Sequence, residues 1–235
     1  MIPNAPPALL NPRRGSVERW QTRSRVRLIL IVGLAATLAL HLFDHAAFDY
    51  FLEPEFRAFG VNLPDWYHVF RQFGNMMTWV FIALAFWGAD ARRTGRVLAR
   101  PAWSRAAYLT LASAGAGLVA EIGKVLVARE RPISGASIEY QGYVHHWPLI
   151  DPLLGQTNLG FPSSHTAVAF GAAFAIARLL PGTFPAMLLL AMGCGWSRML
   201  MGAHFLTDVA GGIVLAWAWV VWLPTPGSVP ARARP

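Results

Sequence analysis

TAVAFGAAFAIARLLPGTFPAMLLLAMGCGWSRMLMGAHFLTDVAGGIVLAWAWVVWL, residues Thr166 to Leu223, holds three apolar runs, Thr166 to Leu180, Phe184 to Leu200 and Leu206 to Leu223, parted by two short polar breaks. Each run is close to the length a helix needs to cross a hydrocarbon layer of roughly 30 Å. Their alanines and glycines suit helices that pack closely in lipid. The second break raises the functional question, because SRMLMGAHFLTD, Ser197 to Asp208, sets an arginine, a histidine and an aspartate where an apolar medium normally excludes them.

Upstream, three more apolar runs follow the same pattern, near Val26 to Phe43, Phe73 to Trp87 and Ala106 to Val127. The whole chain is 55% hydrophobic and 14% charged, against about a quarter charged in a globular domain. The fold class is therefore all-α: a polytopic integral membrane protein with six transmembrane helices over residues 26–223, flanked by polar tails at 1–25 and 224–235. Residues 1–25 are too long and polar for a usual signal n-region, so the first helix is expected to stay uncleaved. Arg178, at the end of the fourth run, is expected to snorkel to the interface.

The formal charge of +8 does not point to nucleic acid, since the basic residues flank apolar runs and obey the positive-inside bias instead. Arg13, Arg14, Arg19, Arg23, Arg25 and Arg27 precede the first run, and Arg92, Arg93, Arg96, Arg100 and Arg105 separate the second from the third. Both segments are expected in the cytoplasm, and the acidic loop from Asp44 to Arg71 outside. Six spans then put both termini in the cytoplasm. The lone cysteine, Cys194, rules out a disulfide framework and a Cys-based metal site.

With this topology, four separate segments deliver polar residues to one face. KVLVARERP supplies Lys124, the only lysine among twenty basic residues, and Arg131. Continued as helix to Arg131, that segment would point both cations the same way, about 10 Å apart along the axis. Glu121, one turn before Lys124, is placed to pair with it. FPSSHTA opens a helix with Ser163 or Ser164 as N-cap and His165 in the first turn, where free N–H groups and the helix dipole favour an anion. His204 and Asp208, four apart, share a face if helical, so the carboxylate can fix one ring nitrogen and leave the other as a lone-pair donor. Gly202 is expected to mark the turn that folds Arg198 back toward them. Lys124, Arg131 and Arg198 gathered in a low-dielectric site need an anion to offset their repulsion and desolvation, and phosphate suits them. Two histidines then supply a nucleophile and a general acid.

KxxxxxxRP from Lys124 to Pro132, PSSH from Pro162 to His165, and SRxxxxxHxxxD from Ser197 to Asp208 together resemble the signature of the type 2 phosphatidic acid phosphatase and vanadium haloperoxidase superfamily, in the order found in its membrane-bound lipid phosphatases. Ser164 departs from the more frequent glycine of PSGH. The resemblance implies catalytic roles for His204 as nucleophile, Asp208 as its orienting partner and His165 as acid and then base. It implies phosphate binding by Lys124, Arg131, Ser163, Ser164 and Arg198, with no metal and no cofactor. The expected partners are a lipid phosphate or diphosphate substrate and the bilayer, with no nucleic acid and no obligate protein partner. The expected location is the inner membrane of a bacterium, with the site facing the periplasm.

Other readings fit less well. A phosphotransferase would use the same residues with a different acceptor. A haloperoxidase does not suit a lipid-facing chain. A transporter would spread its ionisable groups through the bilayer depth rather than gather them at one end. Gly123-Lys124 is no P-loop, since Gly117 is one residue too far upstream and Val125 stands where Ser or Thr would hold magnesium. His145 and His146 lack a clear carboxylate partner and are expected to be loop residues.

Overall fold

The computed structural model describes residues 12–52, 63–132 and 158–226, and these residues form helices, without strands. The helices are α1 (Pro12–Leu40), followed by a 3-10 turn (His41–Phe43) and α2 (Asp44–Phe51), then α3 (Asp65–Gln72), α4 (Met76–Thr94), α5 (Arg100–Val127), α6 (Ser164–Leu179), α7 (Phe184–Leu200) and α8 (Leu206–Trp222). The expected all-helical class holds among these residues, with one isolated bridge between Glu130 and Leu159.

Two stretches, Thr22–Phe51 and Trp103–Val127, are long and apolar enough to cross a membrane, and a third counts if α3 and α4, bent by 66° at their junction, are one span. Helices α6 and α8 are shorter and apolar. Leu28, Ile31, Leu34 and Leu38 of α1 stand exposed, which suits hydrocarbon rather than water. The start signals are local. Asn75 caps α4 by accepting from the Met77 N–H at 2.9 Å, and Gly95 closes it in the left-handed conformation.

Helix α6 is the centre of the bundle, packed on α5, α7 and α8, while α4 covers α5 and α1 lies along α8. Nearly every residue of α6 from Thr166 to Ile176 is buried, so its sequence is apolar all round rather than striped. Small residues make this possible. A Cβ on Gly171 would lie 2.5 Å from the Ala112 carbonyl oxygen of α5. Gly171→Ala is therefore expected to lower stability in detergent by about 1–3 kcal/mol. Gly88→Ala, whose Cβ meets nothing within 4 Å, is expected to leave it unchanged or raise it slightly; parallel thermal melts of the two variants check the contrast.

Two charges inside the bundle away from the site, Asp90 and Arg178, have partners. Asp90, fully buried in α4, accepts from Arg105 of α5 at 3.1 Å, and the Arg105 guanidinium sits over the Phe86 ring. Arg178 does not snorkel outward. It turns inward, donating to the Tyr108 hydroxyl at 3.1 Å and to the Val220 carbonyl, because α8 ends there with backbone carbonyls that need donors. Helix α3 lies on α7 through Trp66 stacked on Trp196 at 5.3 Å, with Tyr67 fully buried beneath, so these two aromatics serve packing.

Candidate active site

At one end of the bundle the C-termini of α5 and α7 meet the N-termini of α6 and α8. The first two motifs touch directly: Lys124 Nζ donates to Ser164 Oγ at 3.0 Å and pairs with Glu121 Oε1 at 2.8 Å. Ser163 is the N-cap of α6, its Oγ accepting from the Thr166 N–H at 3.5 Å and the Thr166 hydroxyl at 3.1 Å. Its own N–H donates to the Asp208 carbonyl at 2.9 Å. The start of α6 is thereby fastened to the start of α8, and the lone pairs of Ser163 Oγ are occupied by the cap.

Helix α5 does not continue to Arg131. It stops at Val127, and Ala128 takes the left-handed conformation at φ 52°. Pro132 disfavours helical backbone at Arg131, and the residues after Ala128 pair with Asn158 and Leu159 instead of continuing the helix. The Arg131 N–H donates to the Asn158 carbonyl at 3.0 Å, and Gly160 N–H to the Arg129 carbonyl at 2.7 Å. In extended backbone alternate side chains share a face. Arg129 and Arg131 thus point the same way, with Glu130 opposite, and Arg131 still lies within electrostatic reach of Glu121 and Asp208.

Gly202, at φ 58°, makes the turn between α7 and α8, and the Arg198 carbonyl accepts from the Ala203 N–H at 3.1 Å. Arg198 is buried, and its Nε has no hydrogen-bond partner among the described residues. His204 Nδ1 lies 3.3 Å from Asp208 Oδ2, which also accepts from the Phe205 N–H at 2.9 Å. A carboxylate can only accept, so the ring hydrogen belongs on Nδ1 and the Nε2 lone pair is free to attack. Burial pushes His204 down to about 4, against the opposing pull of Asp208 and together with the charges of Arg198 and Arg131. The imidazole is therefore neutral near pH 7. Burial, joined by the charges of Arg198, His204, Arg71 and Lys124, holds His165 at about 3, which puts both histidines in one electrostatic neighbourhood.

All eight residues expected at the site lie at this end of the bundle, but their charge balance differs from expectation. Lys124 already has Glu121 as a partner, so it does not wait uncompensated for an anion. Of the three expected cations, those with no carboxylate within ion-pair distance among the described residues are Arg131 and Arg198. Three site residues were not anticipated. Arg129 Nη2 donates to Asp208 Oδ1 and, at 3.0 Å, to Thr207 Oγ1; Asp44 accepts from the Thr207 N–H at 2.8 Å and from its hydroxyl at 2.5 Å. The available signal was the first arginine in VARERP, two residues before Arg131 and so on its face once the segment is extended. His145 and His146 lie outside the described residues.

Apolar helices long enough to cross a membrane, with an oriented imidazole and two arginines that have no carboxylate within ion-pair distance among the described residues gathered at one end, set the class as a membrane protein. The sequence profile of the PAP2 superfamily matches residues 105–225, and the chain belongs to that superfamily. Its fold is similar to the crystal structure of the first transmembrane PAP2 type phosphatidylglycerolphosphate phosphatase from Bacillus subtilis, with a TM-score of 0.54 and 16% identity, over 84% of this chain and 92% of that one. At that identity the likeness is one of fold. No curated protein sequence matches the chain.

Proposed function

We propose that the protein is a membrane phosphatase that hydrolyses a phosphomonoester or diphosphate on a lipid headgroup, at the periplasmic face of a bacterial inner membrane, through a phosphohistidine. The observation that carries this reading is the buried Arg198, with an unpartnered Nε and no carboxylate within ion-pair distance among the described residues, whose charge acts on the His204 imidazole and on Arg131. Buried cations without counterions are strongly unfavourable unless a ligand supplies the charge. A phosphoryl group supplies it beside the nucleophile.

In this mechanism the His204 Nε2 lone pair attacks phosphorus while the bond from phosphorus to the leaving oxygen breaks. The bound phosphoryl charge offsets the cations that hold His165 neutral in the empty protein, so His165 takes up a proton with the substrate. As imidazolium it gives that proton to the leaving oxygen, and the alcohol or phosphate departs. Neutral His165 then takes a proton from water, whose oxygen attacks the phosphohistidine and releases inorganic phosphate with His204 restored. Arg131, Arg198, Lys124, Ser164 and the N–H groups at the start of α6 carry the charge on the phosphoryl oxygens, and Asp208 holds the ring. No metal or cofactor takes part.

The topology proposed with it has six spans over residues 26–223 and both tails cytoplasmic. The clustering of Arg92, Arg93, Arg96 and Arg105 at the end of the bundle opposite the site supports it. A pocket at the ends of packed helices admits a headgroup while the lipid tails stay in the bilayer. Phosphate release by the purified protein from phosphatidic acid, phosphatidylglycerol phosphate, undecaprenyl diphosphate and a lipid A phosphate, in chelator, tests the reading. Turnover of at least one lipid in chelator is expected. Movement of phosphate between lipids without release would establish the phosphotransferase instead.

A pH prediction follows from His204. The neutral imidazole is the nucleophile, and it is lost as pH falls through its pKa. The acid limb of kcat/KM, corrected for ionisation of the substrate phosphate, is expected near 4 rather than at the ordinary histidine value of about 6.5.

A further inference from the structure

The catalytic pair does not stand alone. Behind Asp208, on the side away from His204, lies Arg129, buried to 5% exposure and held between the Phe161 and Phe205 rings at 5.0 and 4.9 Å. Its Nη2 reaches Asp208 Oδ1 and Thr207 Oγ1, and its Nη1 lies 3.9 Å from Asp44 Oδ2. Asp44, fully buried, closes the array by accepting from both the N–H and the hydroxyl of Thr207. Asp44 stands at the head of α2, beyond the first long helix and outside the residues that match the family profile. The helix dipole of α8 favours a carboxylate at that position.

We infer that Arg129, anchored by Asp44, is a positioning residue that shares the Asp208 carboxylate with His204 and so keeps the ring Nδ1-protonated and aimed into the phosphate site. This rests on the proposed reaction for its kinetic consequence, though not for its structural one. A carboxylate facing only an imidazole would stabilise the imidazolium. With one oxygen given to a guanidinium, Asp208 retains its orienting hydrogen bond while its field at His204 is partly cancelled. Burial is the largest influence on His204, and the charges that act on it directly are Asp208, Arg198 on α7 and Arg131 in the extended segment, with His165 on α6 nearby; Arg129 acts on it through Asp208, whose Oδ1 it holds. The planar fork also fixes the carboxylate plane, which a lysine point charge does not.

The test compares the parent, Arg129→Lys, Arg129→Met and the charge-balanced double variant Arg129→Met with Asp44→Asn. The asparagine side chain introduced by Asp44→Asn keeps both bonds to Thr207, accepting from its N–H and donating to its hydroxyl, so the start of α8 is preserved. In the double variant kcat is expected to fall on the order of 10²-fold, as for a reacting group misplaced by about an ångström, with KM for the lipid changed by less than about threefold. The acid limb of kcat/KM is expected to rise above its parental position near 4, because Asp208 then faces the imidazole alone. Arg129→Lys is expected to restore the limb but not kcat. Nitrogen-15 NMR of histidine-labelled protein in detergent reads the His204 tautomer and titration without any substrate. It is expected to show an Nδ1-protonated neutral ring in the parent and a raised titration in the double variant. A double variant with parental tautomer, titration and kcat, or one whose activity falls only in proportion to its folded fraction, would overturn the inference. Loss of the phosphatase reading alone would appear as an inactive parent with the NMR difference intact.

Discussion

Replacing His204 by alanine is expected to lower turnover of the lipid substrate by about 10⁴-fold or more, on the order of what removal of a catalytic nucleophile costs elsewhere. Binding should survive. The phosphate contacts are made by other side chains, so the variant is expected to retain substrate with near-parental affinity and to release no phosphate. The reason is geometric: among the described residues no other buried imidazole at this end of the bundle has a ring nitrogen held by a carboxylate, as His204 has by Asp208 at 3.3 Å. His165 is surrounded by the charges of Arg198, Lys124 and Arg71 and serves as the proton carrier. Phosphate release assayed under single-turnover conditions checks the prediction. Parental turnover in the variant would contradict it.

The second large effect is expected at Arg198. Arg198→Met should reduce kcat/KM by about 10²–10³-fold, the range found when one preorganised donor to a developing anion is lost. Arg198→Lys should recover little, because an ammonium cannot reproduce a planar fork aimed at two oxygens. A stability measurement separates this role from a structural one. Arg198 is buried, and its Nε is unpartnered among the described residues; it thus carries a desolvation penalty in the empty protein. The methionine variant is expected to melt at the parental temperature or above it in detergent. Inorganic phosphate should stabilise the parent by mass action and not the variant. A variant that melts well below the parent and is stabilised by phosphate as the parent is would mark Arg198 as structural.

The parts legible in sequence were those fixed by local chemistry. Apolar runs marked the apolar stretches of α1, α4, α5, α6, α7 and α8, with several ends misplaced, α1 and α4 most of all, because backbone groups in an apolar medium must be satisfied within each segment. The N-cap of α6 was legible as Ser163 or Ser164, and Gly202 as a turn. His204 and Asp208 were recognisable as a pair because four residues is one helical turn, although the pairing is made across the first turn of α8 rather than within a helix that contains both. What was hidden depended on distant contacts or on a change of backbone state. Asp44 read as one acid among several in an outer loop, yet it meets Thr207, 163 residues away. Arg129 was passed over because helical spacing from Lys124 selects Arg131, whereas the extended backbone ahead of Pro132 puts both arginines on one face. Helix α3 was also hidden. It is eight residues long, and its hold on α7 comes from a tryptophan stack that no local pattern announces.

The central claim is that His204 itself takes the phosphoryl group, and trapping that intermediate tests it most directly. His165→Ala should slow the water step while leaving attack on an activated phosphomonoester, whose leaving group needs no proton, largely intact. Rapid quenching into alkali followed by peptide mass spectrometry is predicted to find an acid-labile phosphoryl group on His204, close to one per protein, and none in the His165→Ala, His204→Ala double variant. A phosphoryl group on any other residue, or continued phosphate release with no phosphoenzyme formed, would contradict the account.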